Sequence, residues 1–143
     1  MKCDTIIDIT FKSKAKEFNS AFIPYLDNRK RYEIYYGGAG SGKSHFIAQK
    51  ILYRMLRERG HRYLVVRKVA RTNRHSTYDL LRSVISGWKL NPLFKIDKTE
   101  LDITLQVRGI SENQILFTGL DDVEKLKSIA RALFCCGILW EGL

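Results

Sequence analysis

Lys43 and Ser44 close a run of glycines in the stretch "YYGGAGSGKSHF", Tyr35 to Phe46. Glycine loses more backbone freedom on ordering than any other residue, so four of them at positions 37, 38, 40 and 42 call for a reason. The spacing supplies one. Gly37, Gly42, Lys43 and Ser44 fit G-x-x-x-x-G-K-[ST], a pattern suited to holding phosphate. Without Cβ atoms in the way, the backbone N–H groups of Gly37, Gly38, Ala39, Gly40, Ser41 and Gly42 can converge on the α- and β-phosphates of a nucleotide. Lys43 can reach the β- and γ-phosphates as a point charge, and the Ser44 hydroxyl can ligate Mg²⁺.

Such a loop works only between a strand and a helix whose positive end faces the anion. Upstream, "YEIYY" (Tyr32 to Tyr36) is aromatic and β-branched and ends at glycine, which predicts a strand. Downstream, "SHFIAQKILYRMLRERG" predicts a helix. Ile47, Ile51 and Met55 share one face with Ala48 and Leu52 beside it, Arg57 and Arg59 suit the last turn, and Gly60 is a stop.

The 143 residues are a single-domain length, and 45% of them are hydrophobic, enough for a core. No apolar run reaches the length of a membrane span, and the opening "MKCDTIIDITFKSKAKEF" lacks the apolar stretch of a secretory signal. Cys3, Cys135 and Cys136 have no metal-ligand spacing, so neither a zinc site nor a disulfide framework is expected. The formal net charge is +10, with basic residues at Asn28–Arg31, at Arg54, Arg57, Arg59 and Arg62, and along Arg67–Arg74. That balance fits nucleic acid as a partner, and it equally fits a solvated basic face.

Residues 1–30 read as an N-terminal segment, whose Phe22, Ile23, Tyr25 and Leu26 could stack on a base or pack against a sheet edge. The apolar run Tyr63–Val66 predicts a parallel strand covered on both faces, which makes the chain α/β with a right-handed crossover. Arg67 and Lys68 would then lie at the strand's carboxyl end, where ligands gather in open α/β sheets. Ser76 and Asp79 have capping-box spacing ahead of a helix carrying Leu80, Leu81, Val84, Ile85 and Trp88. "LDITLQV" and "QILFTGL" predict an antiparallel hairpin over about Leu101 to Thr118, connected through Gly109–Asn113. "DDVEKLKSIA" predicts a short helix, and "ALFCCGILWEGL" a last buried strand near Leu133–Leu139, expected beside Tyr32–Tyr36.

Three stretches in order, "YYGGAGSGKSHFIAQKIL", "YLVVRKV" with "STYDLLRSVISGW", and "ILFTGLDDVEKLKSI", resemble the N-terminal part of phage terminase large subunits of the PBSX-like type. The resemblance implies a RecA-like P-loop ATPase: a three-layer sandwich with a mostly parallel sheet, here residues 31–143 and incomplete at the C-terminus. It implies ATP and Mg²⁺ at Gly37–Ser44 as the Walker A loop, with double-stranded DNA, the small terminase subunit and the portal of the procapsid as partners in the host cytoplasm. Full-length relatives would couple hydrolysis to DNA translocation, as a homo-oligomer, and cut the concatemer with a following nuclease domain that has no counterpart here.

Two departures bear on activity. Many relatives have an arginine inside the loop where this chain has Ala39. Relatives also end the last strand in adjacent acids, roughly "WIEEA", whereas this chain reads "ILWEGL", leaving Glu141 as the lone candidate to orient the attacking water. Binding of ATP–Mg²⁺ without efficient turnover is therefore the expectation, as for a truncated product. A small P-loop nucleotide or nucleoside kinase and a non-catalytic basic DNA-binding module are the alternatives.

Overall fold

The computed structural model describes residues 17–30, 32–68, 74–107, 110–121, 123–124, 127 and 136–140. A 3₁₀ turn, Ser20–Tyr25, is capped by Asn19, whose Oδ1 accepts from the Ala21 N–H at 3.0 Å. Helix α1 spans Lys43–Arg57. Strand β1 spans Arg62–Arg67, followed by a π-helical turn, Arg74–Tyr78, and helix α2, Asp79–Gly87. A 3₁₀ turn at Asn91–Leu93 leads into strands β2 (Phe94–Asp97), β3 (Asp102–Val107) and β4 (Ile110–Gly119), and strand β5 is Cys136–Trp140.

The strands form one five-stranded sheet in the order β2-β3-β4-β1-β5. β1 is parallel to both neighbours, with Arg62 opposite Gln114 on β4 and opposite Cys136 on β5. The β2–β3 and β3–β4 pairs are antiparallel, with a bulge between Leu105 and Gln106. The α/β class is therefore as expected, but the sheet is mixed rather than mostly parallel.

Both helices cover one face of it. Ala48, Ile51, Leu52 and Met55 of α1 and Leu81, Val84 and Ile85 of α2 pack with Tyr63, Val65, Ile103, Leu105, Ile115 and Phe117. The last six alternate along their strands, as residues on one face of a pleat must. Leu64 and Val66, on the opposite face, are buried as well. The expectation of a strand covered on both sides holds for β1.

α1 has a second apolar side. Phe46 and Tyr53, with the buried Lys50 between them in helical register, face the N-terminal segment, where they meet Phe18 and Leu26. Phe22 stacks on Phe46 with centroids 4.7 Å apart and planes within 10°. The N-terminal segment thus packs on the helix rather than on a sheet edge.

Three expectations need correction. Tyr32–Tyr36 carries no regular secondary structure and belongs to no sheet: aromatic and β-branched composition favours a strand, yet a strand exists only where a neighbour completes its ladder. The last strand accordingly pairs with β1 and not with Tyr32–Tyr36. Ser76 does not cap α2, because the chain is already helical from Arg74; the Ser76 hydroxyl instead accepts from Arg67 Nη1 at 2.5 Å. The hairpin is present, with β4 starting at Ile110 so that the connection is tighter than Gly109–Asn113. Strand β2 was not foreseen. Val123, Glu124 and Lys127 are helical, in line with the short helix expected there; the rest of that helix, apart from Asp121 in the turn before it, lies outside the described residues.

Candidate functional site

Glycine geometry shapes the loop between Tyr36 and α1. Gly40 has φ +76 and Gly42 φ +80, a region that side chains with a Cβ rarely enter. A Cβ on Gly37 would come within 3.2 Å of Ser41 Oγ. Gly42 is the N-cap of α1, and its carbonyl accepts the Phe46 N–H at 2.9 Å. The Ser41 N–H reaches the Gly38 carbonyl at 3.3 Å. Residues Gly37 to Gly42 are all exposed, while Lys43 and Ser44 in the first turn are half-buried. Lys43 Nζ folds back over the loop and donates to the Gly38 carbonyl at 2.9 Å. All eight residues expected to act together from Gly37 to Ser44 therefore fall in one short turn and the start of one helix.

The sheet fixes which way that turn faces. α1 packs on β1 and β4 and is joined to β1 by only a few residues, so helix and strand run in opposite directions. Its C-terminus lies at the strands' amino ends, where Asn113 at the start of β4 donates to the Glu58 carbonyl at 2.5 Å. The loop at the other end of α1 thus lies toward the carboxyl ends of β1 and β4, where ligands bind in open α/β sheets. Arg67 and Gly119 stand opposite one another at that rim, and the Leu120 N–H donates to the Arg67 carbonyl at 2.9 Å.

The N-terminal segment closes the other flank. The Asn19 Nδ2 and Phe22 Cε2 atoms lie 3.9 Å from where a Cβ on Gly42 would stand. The stacking of Phe22 on Phe46 uses that ring for packing, while Tyr25 remains half exposed.

Between this segment and α1 lies a cluster that sequence reasoning missed. Lys50 Nζ donates to the Tyr25 carbonyl at 2.7 Å, to Glu33 Oε2 at 2.6 Å and to Tyr35 Oη at 3.3 Å. The Tyr35 hydroxyl donates in turn to Glu33 Oε2 at 2.5 Å. Burial and that bond into a carboxylate push the Tyr35 phenol well above its ordinary range. A signal was present: Phe46, Lys50 and Tyr53 recur at i, i+4 and i+7, which puts a lysine on a buried helical stripe.

Part of the basic surface is paired with acids. Arg29 and Arg54 both meet Glu58, at 2.9 and 3.0 Å, and Arg57 meets Asp27 at 3.3 Å. Glu141, Asp122, Cys3, Cys135, Arg31 and residues 69–73 lie outside the described residues. Among the described residues no group of three or more His, Cys, Asp or Glu could hold a metal ion, and no helix is long and apolar enough to cross a membrane.

A helix-opening glycine loop at the carboxyl rim of parallel strands defines an α/β protein with a candidate anion site. The chain belongs to the phage terminase large subunit family, whose sequence profile matches residues 29–141. It is 36% identical over 115 residues, 80% of this chain and 25% of the relative, to the PBSX phage terminase large subunit of Bacillus subtilis (strain 168). It is 36% identical over 104 residues, 73% of this chain and 24% of the relative, to the terminase large subunit of Bacillus phage SPP1. The chain spans about a quarter of the length of these curated relatives.

Proposed function

We propose that this chain is the ATP-binding part of a DNA-packaging terminase large subunit and holds ATP with Mg²⁺ at Gly37–Ser44. The observation that carries the reading is the Lys43 ammonium lying over an exposed glycine loop, on the loop's own Gly38 carbonyl at 2.9 Å. A phosphate oxygen would take the place of that carbonyl without leaving the ammonium unpaired. The loop fits a polyphosphate in two further respects. Its turn uses left-handed backbone at Gly40 and Gly42 and a Gly37 where a Cβ would press on Ser41, and it ends on the positive pole of a helix of fifteen residues. In this reading the loop N–H groups bind phosphate, Lys43 orients the outer phosphates, and Ser44 offers its hydroxyl to Mg²⁺. A P-loop, RecA-like arrangement of the larger domain, duplex DNA, the small subunit and the procapsid portal as partners, and the bacterial cytoplasm as the setting all belong to the proposal. So does Glu141 as the acid that would orient water.

Calorimetric titration with ATP in Mg²⁺ tests it. Loss of one charge-assisted contact of about 1.5–3 kcal/mol should weaken binding by Lys43→Ala roughly ten- to a hundredfold. Equal affinity of Lys43→Ala and wild type would remove the loop from the site.

A further inference from the structure

We propose that Lys50 is a positioning residue that fixes the entry limb of the glycine loop to the helix leaving it, an inference that rests on the phosphate-binding reading of Gly37–Ser44. Two facts set the problem. The entry limb, Glu33–Tyr36, has no ladder bond to any described strand, so main-chain pairing does not hold it in place. Its side chains alternate: Glu33 and Tyr35 are half-buried against α1, while Ile34 and Tyr36 are 85% and 93% exposed. Among the described residues, the contacts that tie the limb to α1 come from the Glu33–Tyr35 side.

Lys50 is the centre of that side. It is buried, with 7% of its surface accessible, and its three N–H donors meet three acceptors from two other stretches of chain. Tyr25 ends the N-terminal 3₁₀ turn, and Glu33 and Tyr35 belong to the entry limb. The Tyr35 ring adds edge contacts to Phe22 at 6.5 Å, Tyr25 at 6.4 Å and Phe46 at 5.4 Å. Gly37 follows Tyr36 directly, and Gly42 is fixed as the cap of the helix that carries Lys50. The two ends of the loop are thus held by one helix, one end through the cap and the other through Lys50. An ammonium suits this work because an uncharged stem of similar length would take the ion pair from the half-buried Glu33 carboxylate and leave it the Tyr35 hydroxyl, which loosens the limb instead of repacking it.

The experiment pairs ATP titration with hydrogen exchange on the full chain. Lys50→Met is expected to weaken ATP binding at least tenfold and to speed exchange of amides in residues 33–44, leaving those of β1 unchanged. Lys50→Arg, which keeps the charge, should stay within threefold of wild type. Should Lys50→Met not fold, Glu33→Gln carries the same test, with a several-fold loss expected. Lys50→Met binding ATP like wild type, or unchanged exchange over residues 33–44, overturns the inference alone. A wild type that binds no ATP overturns the phosphate-loop reading and takes this inference with it.

Discussion

Asn113, near the start of β4, donates from Nδ2 to the carbonyl oxygen of Met55 at 2.6 Å, across 58 residues of chain. The same amide donates to the Glu58 carbonyl at 2.5 Å and accepts the His61 N–H at 2.7 Å. With 2% of its surface exposed, it takes up carbonyls at the C-terminal end of α1 and joins that end to the sheet. Asn113→Ala should lower stability in urea unfolding by about 2–3 kcal/mol, since it leaves buried carbonyls and an N–H without partners. Asn113→Asp should be worse at neutral pH, because a carboxylate would face two carbonyl oxygens. That excess should shrink as acid protonates it. A wild-type midpoint for Asn113→Ala would show that the cap contributes nothing.

Lys89 sits just past the end of α2 with φ +57. Its N–H donates to the Ser86 carbonyl at 3.0 Å, and the Leu90 N–H to Ile85 at 2.9 Å, the closing pattern that glycine usually serves. Lys89 is exposed, so its side chain gives little in return for the strained backbone. Lys89→Gly should stabilise by about 0.5–1 kcal/mol, the relief of the left-handed conformation less the added unfolded-state entropy. A calorimetric midpoint rising by about 2–4 °C would register it. A lower midpoint would contradict it.

Glu58 sets an acid limit. Burial alone would raise its carboxyl, but the hydrogen bond from Arg54 and the charges of Arg54, Arg29 and His61 outweigh it and hold the carboxyl below its ordinary value. A group depressed in the folded state contributes stability that is complete above its unfolded value and is lost as pH falls through the folded one. Wild type should therefore lose melting temperature between about pH 5 and about pH 3 more steeply than Glu58→Gln. Parallel curves for the two proteins would exclude Glu58 as a source of the acid limb.

The net charge of +10 should give sequence-independent binding of duplex DNA that weakens with salt. Neutralising about two phosphates corresponds to roughly a tenfold loss between 50 and 200 mM salt, and more contacts to a steeper loss. Because Arg29, Arg54 and Arg57 are engaged by Asp27 and Glu58, Arg57→Ala should change the slope little. Anisotropy titrations across salt give the slope directly, and a flat response would discard the electrostatic account.

Long periodic elements were legible in the sequence. The Ala48–Ile51–Leu52–Met55 stripe gave α1, the run Tyr63–Val66 gave β1, and the alternation from Ile103 to Val107 gave β3. β2 escaped because four residues, with only Phe94 and Ile96 alternating behind Pro92, carry too little pattern. Tyr32–Tyr36 was over-read because composition reports a preference for extended backbone, while a ladder needs a partner that no local pattern specifies. That Gly37–Ser44 form a glycine turn opening onto a helix was readable from spacing. The place of Lys50 on a buried helical stripe was legible, but its partners, like those of Asn113, were not, because they lie 15 to 58 residues away.

β1 carries a consequence for synthesis. It leaves the ribosome early, yet its two ladder partners, β4 and β5, are made roughly fifty and seventy residues later, which at 5–20 residues per second is several seconds. Through that interval Tyr63–Val66 is an apolar segment whose two edges lack the ladders they have in the finished sheet, with helices rather than strands to lie against. Slow codons or a pause in that interval would prolong the time in which this segment is exposed to chaperones or to other nascent chains. The order in which the sheet is made thus opens a window, set by the chain positions of β4 and β5, in which capture of this segment competes with folding.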